Sequence, residues 1–414
     1  MSSKIGIYIT GLGQSANNES IEKYAERLRN ELSYKSEGTT YITKIEKTLY
    51  HPDKETTVVS IFRKDKNEVD KKKVLIYKIY DFPYHKILTD RFQHYNIIVK
   101  NLILFGLILK KIPQIIARLF IRNGFDQPVQ TFYAFLILFT VSACILLLIP
   151  GCIELIINTT EDNKTIVDTI NKIPKSLGLN YHITPCTIHN LAETGKKILS
   201  ITTLLLLFVP QSKTIITSLA TEFSCVDSYI VDGEQSQILL GNLDLLVEHI
   251  AEKEPDCEIH FHTYSFGSIL AIDALFPIAE IPPSSQIQKL TKLLITIGNP
   301  FEFIDAYYPS FYRKRCAVMS SKLTWLNVYS VSDVFATNYR RDDHRGKAEF
   351  GIKDIPIIPE NINYEITSDR TGLIAFFSLN SMKMHRCYWD SSTIGQSCIK
   401  VILPTLLEKK LITT

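Results

Sequence analysis

The chain has 414 residues and carries 46 Lys and Arg against 43 Asp and Glu, which gives a formal net charge of +3. This near balance does not support a nucleic-acid-binding protein, which normally carries a clustered basic excess. With 45% hydrophobic residues and only 17 Gly and 17 Pro, a disordered or fibrous chain is excluded as well. A mean hydropathy of +0.05 alongside 21% charged residues indicates that the apolar residues are concentrated in particular segments.

The N-terminal part alternates strand and helix signals. Residues 4–10 are a β-rich apolar run, and residues 19–32 carry apolar side chains at helical spacing, which predicts an amphipathic helix. Two β-branched stretches near 39–49 and 55–63 lead to a second apolar run at 74–80. Strand, helix and strand in this order predict an α/β domain.

Three apolar runs follow. Residues 96–120 are mostly apolar but carry four Lys or Arg side chains, whereas residues 131–153 contain no charge over 23 residues. A helix of that length reaches roughly 34 Å, enough to cross a hydrocarbon core. The third run, 198–209, is shorter and also uncharged. We therefore predict a membrane-embedded helical insertion over 93–225, in which 131–153 and 198–220 form a hairpin.

The positively charged side chains of the first run determine where we expect it to lie relative to the membrane. Because Lys110 and Lys111 near its middle would be costly in hydrocarbon, we expect residues 98–120 to lie along the membrane interface. The α/β domain would then face the cytoplasm together with the basic side chains Lys110, Lys111, Arg118 and Arg122. Core helices remain the soluble alternative for the second and third runs, and a re-entrant piece is open for the third.

The α/β pattern resumes after the insertion. Residues 236–252 predict a helix, residues 257–263 a strand and residues 268–276 a second helix. Two further buried strands are predicted at 292–298 and 324–331. The eight cysteines include no C-x-x-C pair, so no zinc site is predicted, and we expect reduced, mostly buried thiols.

One short motif is typical of a reactive serine. Thr263-Tyr264-Ser265-Phe266-Gly267 lies between a predicted strand and a predicted helix. A Ser at the apex of such a sharp turn needs small residues two positions before and after it, as in the G-x-S-x-G nucleophile elbow. Gly267 meets this need, whereas Thr263 departs from the pattern. The structural alternative for Ser265 is a helix cap.

The expected partners of this serine occur later in the chain. Asp333 follows the second strand beyond the turn, and His385 lies in a late loop, so the order is Ser, acid, His. Rival acids are Asp305, Asp342 and Asp343, and the rival base is His344. His260 and His262 alternate along the strand before the turn and are interpreted as structural histidines.

In these residues the chain resembles the α/β-hydrolase superfamily, in particular its lipase- and esterase-like serine hydrolases. The resemblance covers residues 4–92 and 226–414 and implies an α/β-hydrolase fold, a mostly parallel sheet flanked by helices, interrupted by the hydrophobic insertion. It implies Ser265 as nucleophile, His385 as general base and acid, and Asp333 as the acid that orients the histidine.

The resemblance also implies an oxyanion hole. One donor would be the backbone N–H of Phe266, and the loop Gly11-Leu12-Gly13-Gln14 would supply the second from Leu12 or Gly13. This glycine-rich loop lacks the Lys-Ser/Thr of a phosphate-binding P-loop. We therefore expect no nucleotide, no organic cofactor and no metal.

The sequence divides into a first core part (1–92), the insertion (93–225) and a second core part with the triad (226–414). The predicted function is that of a membrane-associated serine hydrolase that cleaves an ester or thioester of a lipid or acylated substrate. Its expected partners are the bilayer and that substrate. Two other classes remain open: an idle scaffold or effector, which the departure at Thr263 favours, and a pore with a regulatory module.

Overall fold

The fold is a nine-stranded, mostly parallel sheet with helices on both faces, which confirms the predicted α/β class. It is taken from a computed structural model that describes single positions between 135 and 193 and the following ranges: 3–12, 20–36, 39–65, 73–93, 97–120, 222–340, 345–364, 384–389 and 393–412.

The first five elements build one half of the sheet. They are β1 (Lys4–Ile9), α1 (Ile21–Lys35), β2 (Thr39–His51), β3 (Lys54–Asp65) and β4 (Val74–Asp81). The last three strands form an antiparallel meander, and β4 then pairs with β1 in parallel. The strand β1 is almost entirely buried because its apolar residues lie at the centre of a sheet covered on both faces.

Helices connect the two halves of the sheet. The structure shows α2 (His85–Gln93) and α3 (Ile97–Phe120), and after residue 221 a short helical segment at 222–227. A π-helical turn, Ser228–Asp232, leads into α4 (Glu234–Lys253).

The remaining elements complete the sheet. They are β5 (Glu258–Tyr264), α5 (Phe266–Leu275), α6 (Ser285–Leu290), β6 (Thr291–Ile297), α7 (Phe301–Tyr307), β7 (Thr324–Tyr329), β8 (Gly346–Lys347), β9 (Glu360–Asn363), a 3₁₀ turn (Met384–Arg386) and α8 (Ile399–Glu408).

The sheet topology brings four loops to one edge. The strand order is β2-β3-β4-β1-β5-β6-β7-β9-β8, and β1, β5, β6 and β7 are consecutive parallel neighbours. Parallel strands end at the same edge of a sheet, so the loops that follow these four strands lie side by side. In open α/β sheets this carboxyl edge is where ligands bind.

Two apolar clusters hold the helices to the two faces. One cluster joins α4, α5 and α7 to the sheet, and it also includes Leu104, Ile108 and Ile115 of α3. The other joins α1 and α8 to the opposite face. The site described below therefore lies on a sheet covered on both sides.

The two histidines of β5 belong to a buried hydrogen-bonded network. The Tyr77 hydroxyl lies 2.9 Å from His260 Nδ1 and 2.7 Å from His262 Nε2, and the Tyr24 hydroxyl lies 2.6 Å from His262 Nδ1. Burial lowers the pKa of His262 to about 3, so this side chain stays neutral at physiological pH. Both histidines are fully buried, as expected of structural histidines.

The predicted insertion is only partly within the described residues. Among the described helices, none is long and apolar enough to cross a membrane. The predicted hairpin of 131–153 and 198–220 lies outside the described residues, with the exception of Phe135 and Phe139. These two side chains pack against the larger core cluster, and the ring of Phe139 stacks 5.9 Å from that of Phe105.

Lys111 is buried, whereas the sequence suggested a basic side chain at the membrane interface; the side of the membrane on which it lies stays a prediction. Its side chain is buried against α7, where Nζ donates a hydrogen bond of 2.9 Å to the carbonyl of Tyr307 and lies 3.7 Å from the ring centre of Tyr308. The last carbonyls of a helix receive no hydrogen bond from N–H donors inside the helix, so a cation that donates to them is favourable. Lys111 therefore fastens α3 to the α/β domain, whereas Lys110 is exposed.

Candidate active site

Ser265 lies at the apex of a tight turn between β5 and α5. Its φ of +52° and ψ of −127° place a non-glycine residue in a strained conformation, which persists only where neighbours hold it. Here the Ser265 N–H donates to the carbonyl of Ile297 at 2.8 Å, and the Ser265 carbonyl accepts from the N–H of Ser268 at 2.9 Å. These two bonds fix the turn between β6 and the first turn of α5.

Gly267 lets the start of α5 approach the end of β1. A Cβ atom added at this glycine would lie 2.4 Å from the carbonyl oxygen of Thr10 and 2.5 Å from that of Ile9. No side chain fits at these distances. The turn therefore requires a glycine two positions after Ser265.

The structure accommodates Thr263, the departure from the elbow pattern. Its side chain is fully buried, and its hydroxyl oxygen lies 2.8 Å from the carbonyl of Ile295 and 3.0 Å from the hydroxyl of Ser268. The threonine therefore links β5 to β6 and α5 beneath the turn, and it does not displace Ser265 from the apex.

Ser265, His385 and Asp333 form a continuous hydrogen-bonded array. His385 Nε2 lies 2.8 Å from Ser265 Oγ, and His385 Nδ1 lies 2.8 Å from Asp333 Oδ2. Because a carboxylate can only accept, the Nδ1–H donates to Asp333 and leaves the Nε2 lone pair facing the serine hydroxyl. This arrangement can take the proton from Ser265 as its oxygen attacks an electrophile.

Asp333 is completely buried and receives hydrogen bonds on both oxygens. The backbone N–H of Phe335 donates to Oδ1 at 3.0 Å, and the Tyr388 hydroxyl donates to Oδ2 at 2.9 Å. The same Tyr388 hydroxyl accepts from the N–H of Ser330 at 3.1 Å. These donors replace the water that the buried carboxylate has lost and fix its orientation toward His385.

Aromatic neighbours set the position of the His385 ring. It stacks on Tyr264 at 5.6 Å and meets Phe335 edge-on at 5.4 Å, and its backbone carbonyl accepts from the Tyr264 hydroxyl at 2.6 Å. Gly298, with a φ of +57°, makes room for this packing. A Cβ atom there would lie 2.9 Å from the Tyr388 ring and 3.3 Å from His385 Cε1.

Opposing effects act on the pKa of His385. Burial lowers this pKa, but the charge of Asp333 and its hydrogen bond raise it, and the Glu222 carboxylate adds to that increase. Arg386 acts in the opposite direction, and the net result is a pKa above the usual value of 6.5 for histidine. The imidazole is therefore a stronger base than an isolated histidine, as proton abstraction from a serine requires.

A pocket opens beside Ser265 and His385. Its remaining described walls are apolar apart from one carboxylate. They are formed by Leu12, Glu222, Phe223, Val226, Phe266, Pro300, Phe303, Ile304 and Phe335. An apolar pocket with few polar groups at the reacting atoms is typical of a site for a small organic ligand.

The proposed oxyanion donors lie next to this pocket where the structure describes them. Phe266 begins α5, and the first N–H groups of a helix have no acceptor within the helix. Leu12, in the loop after β1, lines the pocket, whereas Gly13 lies outside the described residues.

Of the residues that could replace Asp333 or His385 in the array, the structure describes only Asp305. Asp305 lies on α7, where its charge acts on Tyr312, and the array around His385 contains Asp333 instead. Asp342, Asp343 and His344 lie outside the described residues. Within the described part of the chain, no cluster of His, Cys, Asp and Glu could hold a metal ion.

Sequence reasoning missed the residues that surround the array. Tyr388 follows His385 closely in the sequence, and an aromatic residue there gives no local signal of its bond to Asp333. Glu222 and Phe223 follow the apolar insertion, and only the fold brings them to the pocket.

Comparisons with known proteins return no match: no family model, no curated protein and no solved structure is similar to this chain.

Gly267→Ala is expected to lower the free energy of unfolding by about 2 kcal/mol or more, because the new methyl group would overlap the carbonyls that end β1. Urea denaturation measures this change. Gly241→Ala is the matched control, since a Cβ at this position in α4 meets no atom within 4 Å, and it should stabilise by about 0.5–1 kcal/mol. Equal stability of the two variants would contradict the close approach.

Tyr388→Phe is expected to raise the pKa of His385 further, by about half a unit to one unit. Without the hydroxyl donor, more negative charge remains on Asp333 Oδ2 and stabilises the imidazolium. NMR titration of the His385 ring protons measures the shift. Tyr364→Phe is the control, because the Tyr364 ring stacks on that of Tyr388. A similar shift in the control would assign the effect to ring packing.

Proposed function

We propose that this chain is a serine hydrolase of the α/β-hydrolase type that cleaves an ester or thioester through a covalent acyl-enzyme. The observation that carries the proposal is the array Ser265–His385–Asp333 at the apex of a strained strand-to-helix turn. The order of the three residues along the chain, Ser, Asp and His, supports the same reaction class.

The first half-reaction follows from this geometry. His385 Nε2 takes the proton of Ser265 as the serine oxygen attacks the substrate carbonyl, and Asp333 stabilises the imidazolium that forms. The Phe266 N–H and an amide of the loop after β1 stabilise the oxyanion. The tetrahedral intermediate then collapses, the bond to the leaving alcohol or thiol breaks, and the leaving group receives the proton from His385.

The second half-reaction repeats these steps with water. His385 accepts a proton from a water molecule that attacks the acyl-enzyme, and it returns a proton to Ser265 as the carboxylic acid leaves. The apolar walls of the pocket suit the acyl part of a lipid or acylated substrate.

The intact array also bears on the alternative of an idle scaffold. That alternative was favoured by the departure at Thr263. The structure accommodates this threonine beneath the turn, and the hydrogen bonds of His385 to Ser265 and Asp333 are both 2.8 Å long. An enzyme is therefore the better supported of the two classes.

We further propose that the protein associates with a membrane through its insertion. The outer face of α3 exposes Leu102, Leu109 and Ile116, which recur every seven residues and so form one apolar stripe. The uncharged run 131–153 follows in the sequence. Transfer of such an apolar stripe from water into the headgroup region of a bilayer lowers the free energy of the system.

Ser265→Ala is expected to abolish labelling by a fluorophosphonate probe while the protein stays folded, because the contact of its hydroxyl is with His385. Ser268→Ala is the matched control, since this serine is buried in α5, three residues after Ser265, and its substitution should leave labelling unchanged. Gel fluorescence measures labelling, and circular dichroism checks the fold. Persistent labelling of Ser265→Ala would disprove the assignment of the nucleophile.

Membrane association predicts that the full-length chain floats with phosphatidylcholine vesicles in a density gradient. Glu substitutions at Leu102, Leu109 and Ile116 should reduce the floating fraction, whereas Ile281→Glu, at another exposed apolar side chain, should not. A wild-type chain that remains at the bottom of the gradient would contradict this part of the proposal.

A further inference from the structure

The strand β2 forms one edge of the sheet. It comes first in the strand order, is 13 residues long and pairs only with β3 among the described strands. This pairing is regular from Thr39 to Leu49, and the irregularity of the ladder is confined to the step from Leu49 to His51. The outer N–H and C=O groups of a long, regular edge strand are a template for the addition of another strand.

The two faces of β2 differ in character. Ile45 and Leu49 are 54% and 59% exposed, and the buried Tyr41 lies on the same face, because alternate residues of a strand point to the same side. On the other face, Lys44 and Glu46 are both exposed and form an ion pair of 2.5 Å. The edge therefore presents an apolar row on one face and two opposite charges on the other.

This pattern is complementary to itself in one antiparallel register. When Ile45 faces Ile45 of a second copy, Lys44 faces Glu46 of that copy, and Tyr41 faces its Leu49. Two-fold symmetry repeats the last two pairs with the copies exchanged. Opposite charges in directly facing positions stabilise an antiparallel pair, as do facing apolar side chains. Both faces of β2 thus find their complement in the same register.

The neighbouring symmetric registers lack this complementarity. Facing side chains of antiparallel strands point to the same side of the sheet, so each symmetric register places one residue opposite itself. With Lys44, Glu46 or Lys47 in that position, like charges face each other directly, which is destabilising. With Thr43 there, neither Lys44 nor Glu46 faces an opposite charge. The charges of β2 therefore select the register that is centred on Ile45.

We propose that two copies of this chain form a dimer through β2, edge to edge and antiparallel about Ile45. The two nine-stranded sheets then join into one, and because the interface is isologous, no β2 edge is left for a third copy. This inference does not depend on the proposed hydrolysis, since Ser265 follows β5, and β3, β4 and β1 lie between β2 and β5 in the sheet.

Charge reversal tests the facing pairs. Lys44→Glu and Glu46→Lys each place like charges opposite each other at two positions of the dimer, and each should raise the dimer dissociation constant about tenfold. The double substitution Lys44→Glu/Glu46→Lys restores opposite charges and should return the constant to within about threefold of the wild type. Sedimentation velocity of the full-length chain, in a density-matched detergent that disperses its apolar runs, measures the constant.

The matched control for charge reversal is Lys289→Glu. It makes the same change in net charge as Lys44→Glu, at an exposed lysine of α6, and it should leave the dissociation constant unchanged.

Ile45→Cys tests the register. Facing residues of antiparallel strands have Cα atoms about 4.5–5.5 Å apart, within the range of a disulfide. Oxidation by dissolved oxygen with copper phenanthroline should link two copies of Ile45→Cys. It should not link Thr43→Cys, because the two cysteines would lie four residues apart along the paired strands, about 13 Å. The wild type, treated in parallel, shows any linking through the native cysteines.

Three results would overturn the inference. The first is a wild type that sediments as a monomer over the whole concentration range. The second is a dimer whose affinity is the same in both single variants, or a double substitution that stays as weak as they are. The third is linking of Thr43→Cys in preference to Ile45→Cys. Fluorophosphonate labelling of Ser265 should be equal in all variants, so failure of this inference is distinct from failure of the hydrolase proposal.

Discussion

The close approach of α5 to the end of β1 is the constraint on which the candidate site depends. Because Gly267 has no side chain, the helix can begin directly against the carbonyls of Ile9 and Thr10. Ser265 is thereby held at a positive φ, with its hydroxyl projecting from the carboxyl edge of the sheet. The neighbouring strands β6 and β7 end at the same edge, and so Gly298 and Asp333 lie within reach of the ring of His385.

The buried carboxylate has the largest electrostatic effect on this site. Asp333 loses its hydration on folding, and the N–H of Phe335 and the hydroxyl of Tyr388 compensate in part. Burial is the largest single effect on the pKa of His385 and lowers it, but the charge of Asp333, its hydrogen bond and the Glu222 carboxylate together outweigh burial and raise this pKa. A dry carboxylate with few donors is thus more effective at activating the histidine than a solvated one would be.

The central strands and the three residues of the array could be predicted from the sequence, but the residues that surround the array could not. Strands covered on both faces are near-continuous apolar runs, so β1 and β5 to β7 could be predicted closely. The strands β8 and β9 are two and four residues long and have no periodicity to detect. The burial of Lys111 could not be predicted, because a helical pattern assigns a lysine to solvent or to a membrane interface, whereas its acceptor, the Tyr307 carbonyl, is distant in the sequence.

The array and the pocket wall come from different parts of the chain. Ser265, His385 and Asp333, the proposed nucleophile, base and acid, belong to the second core part. The described ends of the insertion instead contact or form part of the pocket wall. At one end, Lys111 fastens α3 to α7, the helix that carries Phe303; at the other, the segment 222–227 supplies Glu222 and Phe223. Substitutions at these ends would therefore change the pocket wall, whereas the hydrogen bonds that His385 makes with Ser265 and Asp333 do not involve them.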